Sequence, residues 1–190
     1  MSDPFAELDV PVAPIKVTCT TTDCANDLHC YLQKRKVEGA HVFGPCRSCG
    51  EPGPFSIERI TCRDIDDVGY TFPAMRHEMI RETYWSKPFD EKALTRAHKK
   101  GRDGLLQWIP NRVRSSIGRA ANGFDGRQTG LEGNVVYYAQ HATATCCRKC
   151  VSYWHGIPAD RDLTPEEAQY CEALIVAYLD ARWSSIDPEP

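Results

Sequence analysis

The sequence predicts an α+β fold, with a small β-rich zinc-ribbon-like module followed by a mainly helical Cys/His-rich domain. Three observations carry this. Cys46-Arg47-Ser48-Cys49-Gly50 is a C-x-x-C-G knuckle preceded by Cys19, Cys24 and Cys30. From Pro73 onward apolar residues recur at helical spacing between recognisable caps. The stretch Gln140 to His155 packs three thiols and two imidazoles into sixteen residues. Residues 1–14 then read as an extended arm, 15–72 as the ribbon-like module and 73–190 as the helical domain.

The chain has 190 residues, 42% hydrophobic and 26% charged, as folded proteins commonly have. The start Met1-Ser2-Asp3-Pro4 lacks the basic and apolar regions of a signal peptide. No apolar run approaches the ~18 residues of a membrane span. A cytoplasmic protein without a membrane partner is therefore expected, and there clustered Cys are metal ligands rather than disulfides.

Three Pro in residues 1–15 give the arm no period, and Ile15 to Cys19 alternates like a short strand. In the knuckle, Gly50 lets backbone amides turn toward the second sulfur and stabilise thiolate charge. The four-thiolate set expected is Cys19, Cys24, Cys46 and Cys49, with zinc bound; Cys30 and His29 are the alternatives to the earlier pair. Pro45-Cys46-x-x-Cys49 also matches half of a zinc deaminase motif, but no His-x-Glu lies upstream at a suitable distance. Residues 51–72 read as further short strands and loops, with Cys62 a packing residue.

In the second part, Ala74 to Trp85 reads as one helix with Met75 and Met79 inward, stopped by Pro88. Asp90 to Lys100 is a second, with basic residues in its last turn and Gly101 beyond. A third runs from Gly104 to Ile117, interrupted or restarted at Pro110. Thr164, Pro165 and Glu167 open a C-terminal helix with a capping box, and Cys171, Leu174, Ile175, Tyr178 and Leu179 form its inward stripe.

Charge is unevenly spread. Residues 76–127 carry twelve Lys/Arg against six Asp/Glu, an excess of +6, whereas residues 156–190 carry two against eight. Arg112, Arg114 and Arg119 are the candidate phosphate contacts, making DNA or RNA a candidate partner and a protein the other. Charge at this density also describes an ordinary solvated helix face.

In the central stretch Cys146, Cys147, Cys150, His141 and His155 form a candidate second metal site, for zinc or, alternatively, an iron–sulfur cluster. A helix beginning near Thr145 sets Cys147, Cys150, Val151 and Trp154 on one stripe, a pattern that core packing explains for one Cys but not for three in five positions. Asp125-Gly126-Arg127-Gln128-Thr129 is a polar loop of the kind that gathers functional groups. No phosphate-binding glycine motif is present.

These last residues carry a resemblance. Asp125 to Thr129, Ala139 to Cys150 and Trp154 to Pro158 resemble the D-G-x-Q-T … A-Q-H-A-T-A-T-C-C-R-x-C … W-H-x-I-P core of a small bacterial and phage family known as a domain of unknown function. Gly130 and Asn134-Val135 depart from the family's Pro and His-Pro at those places. The resemblance implies a site but no activity. Two functions follow as expectations. One is a zinc-binding interaction module with two metal sites. The other is an enzyme using Asp125, Gln128, His141 and Cys146, with proton transfer by Asp125 or His141 or nucleophilic attack by Cys146.

Overall fold

In the computed structural model the chain is described at residues 17–37, 40–120 and 126–187. The arm at 1–14, residues 15–16 of the expected first strand, and Asp125 lie outside these. The one sheet among the described residues is an antiparallel hairpin of β1 (Leu32–Val37) and β2 (Ala40–Phe43), pairing Leu32 with Phe43 across a bulge. Among the described residues eight α-helices follow: α1 (Ile57–Thr61), α2 (Val68–Arg76), α3 (Met79–Ser86), α4 (Glu91–Ile117), α5 (Val135–Ala142), α6 (Arg148–His155), α7 (Pro165–Ala181) and α8 (Trp183–Ile186).

Several elements depart from the sequence reading. Residues 51–72 are helical rather than β-rich, because Ser56 caps α1 by accepting the Arg59 amide and Asp64 caps the short turn before α2. The helix expected over 74–85 is two helices broken at His77-Glu78. There the backbone leaves its own ladder to pair with the amino-terminal segment: His29 donates its amide to the His77 carbonyl and accepts the Met79 amide, at 2.7 and 3.2 Å. Element α4 holds the two helices expected on either side of Gly101, divided as expected where Gly101 takes the non-helical φ +68° and ψ 170°, a conformation that suits glycine. It continues through the exposed Pro110.

The C-terminal helix is capped as its sequence implies. Thr164 accepts the Glu167 amide, while the Glu167 carboxylate accepts the Thr164 amide. Arg161 holds that carboxylate from the other side, against burial, keeping it down to about 2.

Two apolar clusters organise the chain. The larger packs α3, α4, α5 and α7 through Ile109, Val113, Val136, Tyr138, Leu174 and Tyr178. The smaller joins Tyr31, Leu32, Phe43 and Phe55 to Cys146, Cys147, Cys150 and Trp154 of the central stretch. Trp154 sits among three aromatic rings from the first part of the chain, its centroid 5.1 Å from Phe43, 5.6 Å from Phe55 and 6.3 Å from Tyr31. The expected single buried stripe of α6 is instead burial all round, from Arg148 through Cys150–His155, because the helix lies between the hairpin and the helical core.

Candidate metal centres

The described residues include two groups whose ligand atoms all lie within 4.8 Å of one another and can hold a metal ion: Cys24, His29, Cys46 and Cys49, and Cys146, Cys147 and Cys150.

In the first group the knuckle supplies two sulfurs. Its turn closes by the Gly50 amide donating to the Cys46 carbonyl at 2.8 Å, with Gly50 at φ +81°. Burial pushes the Cys46 thiol up, but backbone N–H groups of Cys30, Cys49 and Ser48 and the His29 ring prevail, bringing it down to about 6. Cys24 opens a one-turn 3-10 helix and reaches Cys46, with their sulfurs 3.8 Å apart. His29 Nδ1 lies 3.5 Å from Cys49 Sγ. A tetrahedral zinc with bonds near 2.3 Å to sulfur and 2.0–2.1 Å to nitrogen requires S···S of about 3.8 Å and S···N of about 3.6 Å. Both spacings are present.

The outer partners agree. Asp27, in the left-handed conformation at φ 58°, accepts from His29 Nε2 at 2.9 Å and contacts His77 Nδ1 at 2.7 Å. With the proton fixed on Nε2, the Nδ1 lone pair faces the sulfurs, the carboxylate–histidine arrangement found behind metal-ligating imidazoles. The structure thus groups His29, not Cys19, with Cys24, Cys46 and Cys49. The turn at Thr18–Thr21 carries Cys19 elsewhere.

The second group is built at the start of α6. Ala144 adopts φ +55°, the Thr145 amide returns to the Gln140 carbonyl at 2.9 Å, and Cys147 becomes the cap residue of α6. Cys150 then lies in the first helical turn beside the pair. A helix N-terminus favours thiolate charge. Hydrogen bonds from Cys147 and Cys150, with the Arg81 charge, hold the Cys146 thiol well below its ordinary range in spite of burial.

Sequence reasoning missed Arg81, whose residue is fully buried. All five of its N–H groups are placed. Nε donates to Glu78 at 2.9 Å; one terminal nitrogen donates to the His141 carbonyl and Cys146 Sγ, the other to Cys150 Sγ at 3.1 Å and Tyr153 Oη at 3.2 Å. Glu78, equally buried, also accepts from Tyr153 Oη at 2.7 Å and Trp154 Nε1 at 2.8 Å. The signal in the sequence was a charged residue beside Met79-Ile80 on an otherwise apolar helix face, flanking the break at Glu78.

The two imidazoles expected in this site are engaged elsewhere. His155 Nδ1 meets Tyr170 Oη at 3.2 Å and Nε2 meets the Thr143 carbonyl at 3.0 Å, so the neutral ring has both nitrogens occupied. Burial pushes it down to about 4. His141 stacks on Tyr84 with centroids 4.5 Å apart, and its Nε2 donates to the Gly130 carbonyl. Its buried Nδ1 has no hydrogen-bond partner. Burial and the Arg81 charge bring His141 down to about 4.

Gln128, named with Asp125 as catalytic, spends its side-chain oxygen on the Gly126 amide and its carbonyl on Arg112. Arg112 faces inward, donating to Gln128, Thr129 and Gln140, which removes it from the expected phosphate-binding set. Arg114 is exposed and bonded to Asn111, and Arg119 is exposed beside Asp162. Among the described residues, no helix is long and apolar enough to cross a membrane.

No solved structure matches the chain. Glu78, Arg81 and the three clustered thiols all fall within residues 70–180, the stretch that matches the model of a domain of unknown function, DUF4186, and the chain belongs to that family.

Proposed function

We propose that this is a zinc-binding interaction module with two metal sites, the first of them closed and structural. One observation carries the reading: Cys24, His29, Cys46 and Cys49 meet at tetrahedral zinc spacings, with Asp27 orienting the imidazole. Four protein ligands leave that ion no open position, so it supplies folding energy rather than chemistry. At the second site, three sulfurs within 4.8 Å of one another suit a single ion better than a cubane cluster, which binds each sulfur to a different iron and so holds them farther apart. Elemental analysis of the purified chain is expected to give two equivalents of zinc and no visible absorption. A coloured protein containing iron would replace zinc at the second site. A metal-free folded protein would overturn the reading.

The partner that the surface supports is single-stranded nucleic acid, by a different face from the one first expected. Beside the α4 kink, Arg96, Lys99, Lys100, Trp108, Asn134 and Tyr137 line a groove of about 520 Å³. Lys100 Nζ lies 5.4 Å from the Trp108 ring centroid. Cations beside the half-buried rings of Trp108 and Tyr137 are elements of a strand-binding platform, in which bases stack and phosphates are neutralised. Replacing Arg96, Lys99 and Lys100 together by Ala is expected to weaken binding of a labelled oligothymidylate and to lower the slope of log affinity against log salt by about 2, at roughly 0.7 per lost phosphate contact. Unchanged affinity and slope in anisotropy titrations would remove nucleic acid from that face.

A further inference from the structure

Outside the first centre, Cys19 packs against the cluster that holds Cys146, Cys147 and Cys150, from a segment more than a hundred residues away. Cys19 lies in a turn closed by the Thr21 amide on the Thr18 carbonyl at 3.1 Å and braced by the Thr18, Thr20 and Thr21 hydroxyls. That turn directs its side chain inward, against the cluster holding the other three thiols and Trp154. Cys30 Sγ donates to the Cys19 carbonyl at 3.2 Å, fixing the backbone there. Cys19 thus packs from the amino-terminal segment against the same cluster as Cys146, Cys147 and Cys150.

Two of the other nearby donors are otherwise committed. Both nitrogens of His155 are occupied, and Cys171 lies in the apolar core of α7. His141 presents a single buried Nδ1, making it the competitor to exclude.

Arg81 donates to two of these sulfurs, Cys146 and Cys150, and also pairs with Glu78, so the thiols share a polar, charged environment.

We propose that Cys19 is the fourth ligand of the second centre, completing a tetrathiolate zinc site that pins the amino-terminal segment to the start of α6. This rests on the reading of Cys146, Cys147 and Cys150 as a metal site. Cys19 packs against the cluster that holds the trio, and ligation requires its sulfur to move toward the ion. Since Cys24 belongs to the first centre, the four residues Thr20 to Asp23 then join the two ligand sets.

Cadmium-113 NMR of the cadmium-substituted full chain tests this, because each added thiolate moves the resonance downfield. Two resonances are expected, one from three sulfurs and a nitrogen and one, farther downfield, from four sulfurs. In Cys19→Ser the downfield signal is expected to move upfield or vanish while the other stays. A downfield signal unchanged in Cys19→Ser, or one displaced instead by His141→Ala, would overturn the assignment of Cys19 alone. A wild-type chain showing only the first resonance would defeat the second centre altogether. As a readout without a variant, alkylation followed by mass spectrometry should find Cys19 protected in the loaded protein together with Cys146, Cys147 and Cys150. All four should react on chelation, with the exposed Cys62 as the unprotected control. Reaction of Cys19 at equal rates with and without metal would also count against it.

Discussion

Cys49→Ser is expected to cost the protein one of the two zinc ions proposed for it and the order of its amino-terminal segment. The ribbon-like part, from Cys24 to Glu51, has one two-stranded hairpin, and a lone hairpin is marginal in water. Structural zinc binding provides on the order of 10–16 kcal/mol in zinc-finger peptides, enough to decide whether such a segment folds. The helical core of Ile109, Val113, Leu174 and Tyr178 draws no support from that ion. Far-UV circular dichroism should therefore change little, while amide exchange accelerates at the backbone bonds of His29 and Cys46. Retention of two zinc equivalents, with amide protection intact, would show that Cys49 is not a ligand.

Arg81→Met is expected to lower unfolding stability by about 3–5 kcal/mol, the range for removing one partner of a buried ion pair. The variant leaves the Glu78 carboxylate buried with donors only from Tyr153 and Trp154, and leaves two sulfurs without a cationic donor. Pairing it with Glu78→Gln should recover part of the loss, because the unpaired buried charge is then removed. Arg81→Lys keeps the charge but not the five-donor fork, and is expected to remain destabilised. Urea denaturation of the four proteins at matched zinc concentration measures this. A loss under about 1 kcal/mol in Arg81→Met would place the pair in the ordinary surface class and would contradict its burial.

The placement of Cys19 and His29 shows how far a spacing carries. Cys19 and Cys24 are separated by a number of residues that suits one zinc, and Cys46-x-x-Cys49 is fixed by its own turn. Nothing local specifies that the Thr18–Thr21 turn aims Cys19 at α6 while the short helix at Cys24–Asn26 returns the chain, through Asp27, to place His29 among the remaining thiols. The imidazoles of the central stretch went the opposite way. His141 and His155 sit near the thiols in sequence, but a helix turns each residue by about 100° and the bend at Ala144 separates α5 from α6. Their ring nitrogens meet Gly130, Thr143 and Tyr170 instead. The basic run around Arg112 suggests a phosphate ligand. Its inward hydrogen bonds to Gln128, Thr129 and Gln140 come from residues 16 to 28 positions away.

What the sequence determined by itself was local: the knuckle at Cys46–Gly50, the capping box at Thr164–Glu167, the helical texture after Pro73, and the crowding of thiols at Cys146–Cys150. Each depends on backbone geometry and side-chain reach within a few residues. Only the tertiary structure decided which donors face one another, that His77-Glu78 breaks a helix to pair with His29, and that Arg81 lies against the sulfurs. Those outcomes depend on hydrogen bonds and burial between segments far apart in the chain, where the direction of a side chain is set by packing and leaves no period or spacing to read.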